Sequence, residues 1–147
     1  MLEKWLKKDH IQIIDSVSDW KEAIKICGIP LVKHNIIADR YINAIYDSYK
    51  TSGPYYVLKK GIAMPHAKPE QGAYEIGLSL LIISEGVNFN SEGNDPIHIV
   101  ILLSSKNNDS HTEIITSLGE LLFSDDVIDD LIQSKSSEDV YEIVKHY

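Results

Sequence analysis

Ile97-His98-Ile99-Val100-Ile101-Leu102-Leu103-Ser104 is the stretch on which the fold turns. Together with residues 76–84, Ile-Gly-Leu-Ser-Leu-Leu-Ile-Ile-Ser, it forms a pair of nearly continuous apolar runs. Strands with one wet face alternate apolar and polar residues, whereas strands covered on both faces read as unbroken apolar stretches. The two runs therefore predict the centre of a sheet. His98, inside one of them, reads as a hydrogen-bonded sheet residue. The link between the runs, Asn88 to Pro96, is polar turn material in which Phe89 is expected to anchor the loop to the core.

Working outward toward the N-terminus, Lys59-Lys60-Gly61 is expected to turn a strand over Tyr55-Tyr56-Val57-Leu58 into a second one over residues 61–64, giving a hairpin. Thr51-Ser52-Gly53-Pro54 precedes it as a turn. Ile37, Tyr41, Ala44, Ile45 and Ser48 recur at helical spacing and predict a long helix over residues 33–49, with His34 solvated at its polar beginning. An earlier helix is expected to begin near Trp20 after the Asp15–Asp19 capping segment, to bury Ala23, Ile24 and Cys27, and to end at Gly28 and Pro30. Ile11, Ile13 and Ile14 predict a short strand. Toward the C-terminus, Ser110-His111-Thr112-Glu113 matches a capping box opening a helix, and Ser124 and Ser136 are expected to cap two more. Strands interleaved with helices over a single domain, residues 1–147, predict an α/β fold with a mixed sheet covered by helices on both faces.

Composition narrows the function classes. A formal net charge of -8, from 22 acidic and 14 basic side chains, disfavours nucleic acid or an anionic membrane as the main partner and favours a basic docking face. The one cysteine, Cys27, excludes an internal disulfide and reads as a packing residue. No run of about 18 apolar residues occurs, so neither a signal peptide nor a membrane span is expected, and the chain suits a reducing cytoplasm.

The chemistry concentrates at Gly61-Ile62-Ala63-Met64-Pro65-His66-Ala67-Lys68-Pro69-Glu70. Proline fixes its own φ and pushes the preceding residue into extended geometry, so Met64 finishes a strand and His66 begins the exit. An imidazole there can carry protons, bind metal or attack as a nucleophile. His111 follows the other central strand in the same sense, so parallel neighbouring strands would bring both rings to one edge of the sheet, beside a helix start suited to phosphate.

The 61–70 motif with a second histidine 45 positions later resembles the IIA component of the phosphoenolpyruvate-dependent sugar phosphotransferase system, mannitol/fructose superfamily. Tyr41-Ile42-Asn43-Ala44-Ile45, Gly53-Pro54-Tyr55-Tyr56-Val57-Leu58, Phe89-Asn90, Asn94-Asp95-Pro96 and Glu138-Asp139-Val140 are similar to the ascorbate-type branch. The resemblance implies a phosphotransferase whose His66 takes a phosphoryl group from the carrier protein HPr and passes it to a cysteine of a IIB component. His111 would support the transfer without being phosphorylated. A membrane IIC component would be reached only indirectly, and no metal or cofactor is implied. One departure is Lys50-Thr51, where many members carry Arg-Glu; a lysine offers a point charge without the bidentate fork, and Lys50 is not expected in the site. Lys68 is a candidate for steering phosphate. Two other classes fit the histidines: a regulatory homologue that binds partners without relaying phosphate, and a His-pair metal hydrolase, for which the ligands are too few.

Overall fold

The computed structural model describes the backbone of residues 1–147 and every side chain except that of Asn108. In chain order the regular elements are β1 (Ile11–Ile14), α1 (Trp20–Lys33), α2 (Asp39–Ser52), β2 (Val57–Lys59), β3 (Ile62–Ala63), β4 (Gly77–Val87), β5 (Ile97–Ser104), α3 (Asn108–Leu121), α4 (Asp125–Gln133) and α5 (Ser137–Val144). The strands form one sheet in the order β1-β4-β5-β3-β2. β1 runs parallel to β4 and β3 parallel to β5, while β4 and β5 are antiparallel. β2 and β3 make the expected antiparallel hairpin.

Alternation along the central strands splits the core into two layers. Leu78, Leu80, Ile82, Ile99, Ile101 and Leu103 pack with Ile114, Leu118, Ile128 and Val140 of α3, α4 and α5. Leu81, Ile83, Val100 and Leu102 pack on the other face with Ile24, Cys27, Leu31, Tyr41 and Ile45 of α1 and α2. Each leucine or isoleucine buried this completely contributes about 1.5–3 kcal/mol, so these two strands are the sheet's stable centre. Phe89 is fully buried, as its place in the loop predicted. Among the described residues no helix is long and apolar enough to cross a membrane.

Three helix boundaries differ from the sequence reading. α1 does not stop at Gly28 and Pro30 but runs through both. The ring of Pro30 removes the N–H that would have met the Ile26 carbonyl, and the Gln12 side-chain amide donates to that carbonyl instead, at 2.7 Å. Gly28 is a packing glycine: a Cβ there would lie 2.6 Å from Ile42 Cδ1 on α2. The predicted helix over residues 33–49 is not one element. α1 ends in a Schellman motif, with Asn35 left-handed at φ 57 and Ile36 N–H donating to the Leu31 carbonyl at 2.8 Å, so α2 starts only at Asp39. His34 is therefore the C-cap of α1 and not a helix start; it is exposed, as expected, and pairs with Asp9. Finally, α3 opens three residues before the predicted cap. Asn107 is the N-cap and accepts from Ser110 N–H at 2.9 Å, while the Ser110 hydroxyl also turns back to Asn107 Oδ1. An asparagine just past a strand end caps as well as a serine does and takes the earlier position.

Candidate functional site

The parallel pairing of β3 with β5, Ile62 against Ile99 and Ala63 against Val100, sends both chain exits over the same edge of the sheet. His66 leaves β3 and His111 sits in the first turn of α3, and their ring centroids lie 6.3 Å apart at 60°. The convergence expected from the strand exits is thus present, and both rings are half-buried.

His66 is clamped from several sides. Met64 N–H donates to the Tyr56 carbonyl and Leu103 N–H to the Pro65 carbonyl, which fixes the chain on either side of Pro65. Tyr41, fully buried on α2, bridges the same corner: its hydroxyl donates to the Leu103 carbonyl at 2.7 Å and accepts from Ala67 N–H at 3.0 Å. Burial pushes this phenol up to about 12, so it stays a neutral donor. Tyr55 places its ring edge-on to His66 at 6.0 Å.

The ring's own hydrogen bond sets its chemistry. Nδ1 of His66 lies 2.9 Å from the Met64 carbonyl oxygen. That oxygen can only accept, so the proton belongs on Nδ1 and the neutral ring keeps its lone pair on Nε2. His66 lines an open cleft of about 520 Å³ with Ser48, Thr51, Tyr55 and Lys68. His111 has Ser105 Oγ 3.4 Å from its Nδ1. A hydroxyl that donates there leaves the proton of His111 on Nε2. Burial lowers the pKa of His111, and the neighbouring His66 lowers it further, so the ring is neutral near pH 7.

The remaining candidates fall outside this centre. Lys50 is exposed and lies 3.9 Å from Asp47, as a solvated helix-end lysine should. Cys27 is buried, and burial pushes its thiol up to about 11, which leaves no nucleophilic thiolate near neutral pH. His98 donates into the sheet, with Nδ1 3.0 Å from the Ile83 carbonyl. Sequence reading placed Tyr41 in an apolar stripe and in a stretch similar to the ascorbate-type branch, but gave its hydroxyl no role. The available signal was that a buried tyrosine hydroxyl needs a partner.

The fold defines the class: it is that of the mannitol-type sugar phosphotransferase IIA proteins. The mannitol-specific cryptic phosphotransferase enzyme IIA of Escherichia coli superposes with a TM-score of 0.90 at 39% identity, covering 99% of both chains. The IIA protein in the complex of mannitol enzyme IIA with phosphorylated mannitol enzyme IIB, also from Escherichia coli, superposes with a TM-score of 0.80 at 29% identity over 94% of this chain and 96% of that one. Residues 4–147 match the family described as phosphoenolpyruvate-dependent sugar phosphotransferase system, EIIA 2, and the chain belongs to that family. In sequence it is 40% identical, over 97% of both chains, to the mannitol-specific cryptic phosphotransferase enzyme IIA component of Escherichia coli (strain K12). It is 32% identical to the ascorbate-specific IIA component of Salmonella typhimurium, over 94% of this chain and 90% of that one.

Proposed function

We propose that this chain is a cytoplasmic phosphocarrier in which Nε2 of His66 accepts a phosphoryl group from phosphorylated HPr and gives it to a cysteine of a IIB partner. The observation that carries this reading is the second imidazole, His111, 6.3 Å from a His66 ring whose Nδ1–H contact to the Met64 carbonyl leaves a lone pair on Nε2. In the first step the phosphorus–nitrogen bond on the donor breaks as the bond to Nε2 forms, and the electron pair returns to the donor ring. The modified His66 ring then carries positive charge, which its Nδ1–H shares with the Met64 carbonyl. In the second step a IIB thiolate attacks phosphorus and the electron pair returns to Nε2.

Such transfers need in-line positioning and a place for spread negative charge more than covalent assistance. His111 supplies a neutral N–H toward the phosphoryl oxygens, and the N-terminal end of α3 adds its dipole. A partner protein closed over the cleft excludes the water that would hydrolyse the phosphoimidazole. The IIB partner is supported by the solved complex of a related IIA with its phosphorylated IIB. A hydrolytic metal centre has less support, since among the described residues no third ligand groups with His66 and His111.

For the transported sugar, the matches at Gly53–Leu58 and Asn94–Pro96 favour ascorbate, whereas overall identity favours mannitol. A IIA component meets only protein partners, so the choice lies with the IIB it serves. The protein is to be phosphorylated with phospho-HPr and offered ascorbate-type and mannitol-type IIB proteins in parallel. Faster transfer to one assigns the sugar. Phosphorylation without transfer to either overturns the relay and leaves a phosphorylation-dependent regulator.

A further inference from the structure

We propose that Asp9, His10 and His34 form a Zn²⁺ site that fastens the N-terminal turn of the chain to the C-terminal end of α1. Asp9 and His10 lie in a 3-10 turn, Lys8–His10, that leads into β1, and His34 is the C-cap of α1. The Asp9 carboxylate stands between the two imidazoles: Oδ2 is 3.0 Å from His34 Nε2 and Oδ1 is 3.9 Å from His10 Nε2. All three ligand atoms lie within 4.8 Å of one another, which among the described residues is true of no other group of three.

His10 is the member that distinguishes this cluster from an ordinary surface ion pair. It is 3% exposed, and its Nδ1 faces two backbone carbonyls, of Leu78 at 3.0 Å and Trp5 at 3.3 Å. Both can only accept, so Nδ1 carries the proton and the neutral ring aims the lone pair of Nε2 at the carboxylate. A metal-binding histidine has this arrangement, with the outer nitrogen donating to a carbonyl that fixes tautomer and ring direction. Without a cation two acceptors face each other, and a proton or a metal relieves that. A metal differs in engaging all three groups at once.

Zn²⁺ suits the donor set, since imidazole nitrogens favour borderline first-row cations over Mg²⁺ and Ca²⁺. Bonds of about 2.0–2.2 Å in a tetrahedron require ligand atoms about 3.4 Å apart. His10 is the fixed anchor, while Asp9 and His34 are exposed and free to close the remaining distance, leaving a fourth position for water. Lys33, exposed on a small cavity that Asp9 and His34 also line, opposes a cation there and sets a limit on affinity. The site is separate from the phosphotransfer reading and stands or falls without it.

The test uses the full chain carrying His66→Gln, which removes the only other converging imidazole pair described above. After chelator treatment, calorimetric titration with ZnCl₂ is expected to show one equivalent bound, and Zn²⁺ is expected to raise the thermal unfolding midpoint, because a ligand held only by the folded state stabilises it. Mg²⁺ should do neither. His34→Ala and Asp9→Asn, both at exposed positions that leave the core intact, should each weaken Zn²⁺ binding at least tenfold and abolish the thermal shift. Binding that survives both substitutions, or a cluster that responds to pH but takes up no Zn²⁺, overturns the proposal.

Discussion

His66 and His98 are held in the same way. Nδ1 of the first lies 2.9 Å from the Met64 carbonyl and Nδ1 of the second 3.0 Å from the Ile83 carbonyl, and both rings are half-buried. Both therefore carry the proton on Nδ1 and present the lone pair of Nε2. The difference lies in what stands beside each ring. His98 lines an open cleft of about 610 Å³ with Lys60, Pro96 and Asp129, but among the described residues no second imidazole stands against it. His66 lines a cleft of about 520 Å³ and has the imidazole of His111 beside it, 6.3 Å between ring centroids. A carbonyl lock chooses the tautomer of a histidine and nothing more; His10 has one as well. Both rings border open clefts, so a charge-stabilising neighbour, not access, separates a nucleophile from a strut.

The largest expected effect divides these two residues. His66→Gln should abolish labelling by phosphorylated HPr, since it removes the proposed nucleophilic nitrogen, whereas His98→Gln should still be labelled. Its cost should be to stability, about 1 kcal/mol for the hydrogen bond to Ile83. Mass spectrometric mapping of the acid-labile phosphate decides the matter, and phosphate persisting in the His66 variant would place the nucleophile on another ring. His111→Ala comes next. Losing one donor from a charge-stabilising site costs on the order of 3 kcal/mol, or about 100-fold in rate. Rapid-quench kinetics should show that drop with phosphate still on His66 and a native circular dichroism spectrum; phosphate found on His111 would reverse the two roles.

What could be read in the sequence follows from how far each signal reaches. The unbroken apolar runs at residues 76–84 and 97–104 report burial on both faces directly, and they mark β4 and β5 to within a few residues. Pro65 next to His66 is equally local, because proline geometry acts on its immediate neighbour. The failures have two causes, a partner outside the local window and local signals that compete. Pro30 looks like a helix end until Gln12, far away in the chain, satisfies the carbonyl that proline leaves open. Ser110 looks like a cap because its spacing to Glu113 is right, but Asn107 competes for the same backbone groups and lies nearer the end of β5. Asn35 itself marks the end of α1, since asparagine is the residue other than glycine that most readily ends a helix left-handed. Tyr41 shows the limit of periodicity for a functional site: it places the ring in the core but says nothing of a hydroxyl that holds Ala67 and Leu103 together beside the nucleophile.

The smallest expected effect concerns the charge state of His111 and tests how the two imidazoles are coupled. Burial disfavours the imidazolium form and is the larger cause of its lowered pKa; repulsion from His66 is the second. His111 should therefore take up its proton only below the ordinary histidine value of about 6.5. Because the folded value lies below the unfolded one, protonation favours the unfolded chain. His111 costs nothing at pH 7 and weakens the fold slightly as pH falls below about 6.5, by little since the ring is only half-buried. His66→Gln removes the second cause and leaves the first, so the titration midpoint should rise part of the way and stop short of the ordinary value. Phosphorylation of His66 puts negative charge beside the ring, so the midpoint should then rise above that of both other forms. An NMR titration of the His111 Cε1–H resonance in the three forms, with excess donor maintaining the phosphorylated one, reads this directly. A midpoint that the His66 variant restores completely would mean that burial contributes nothing, and one that phosphorylation leaves unmoved would place His111 too far from the phosphoryl group to support its transfer.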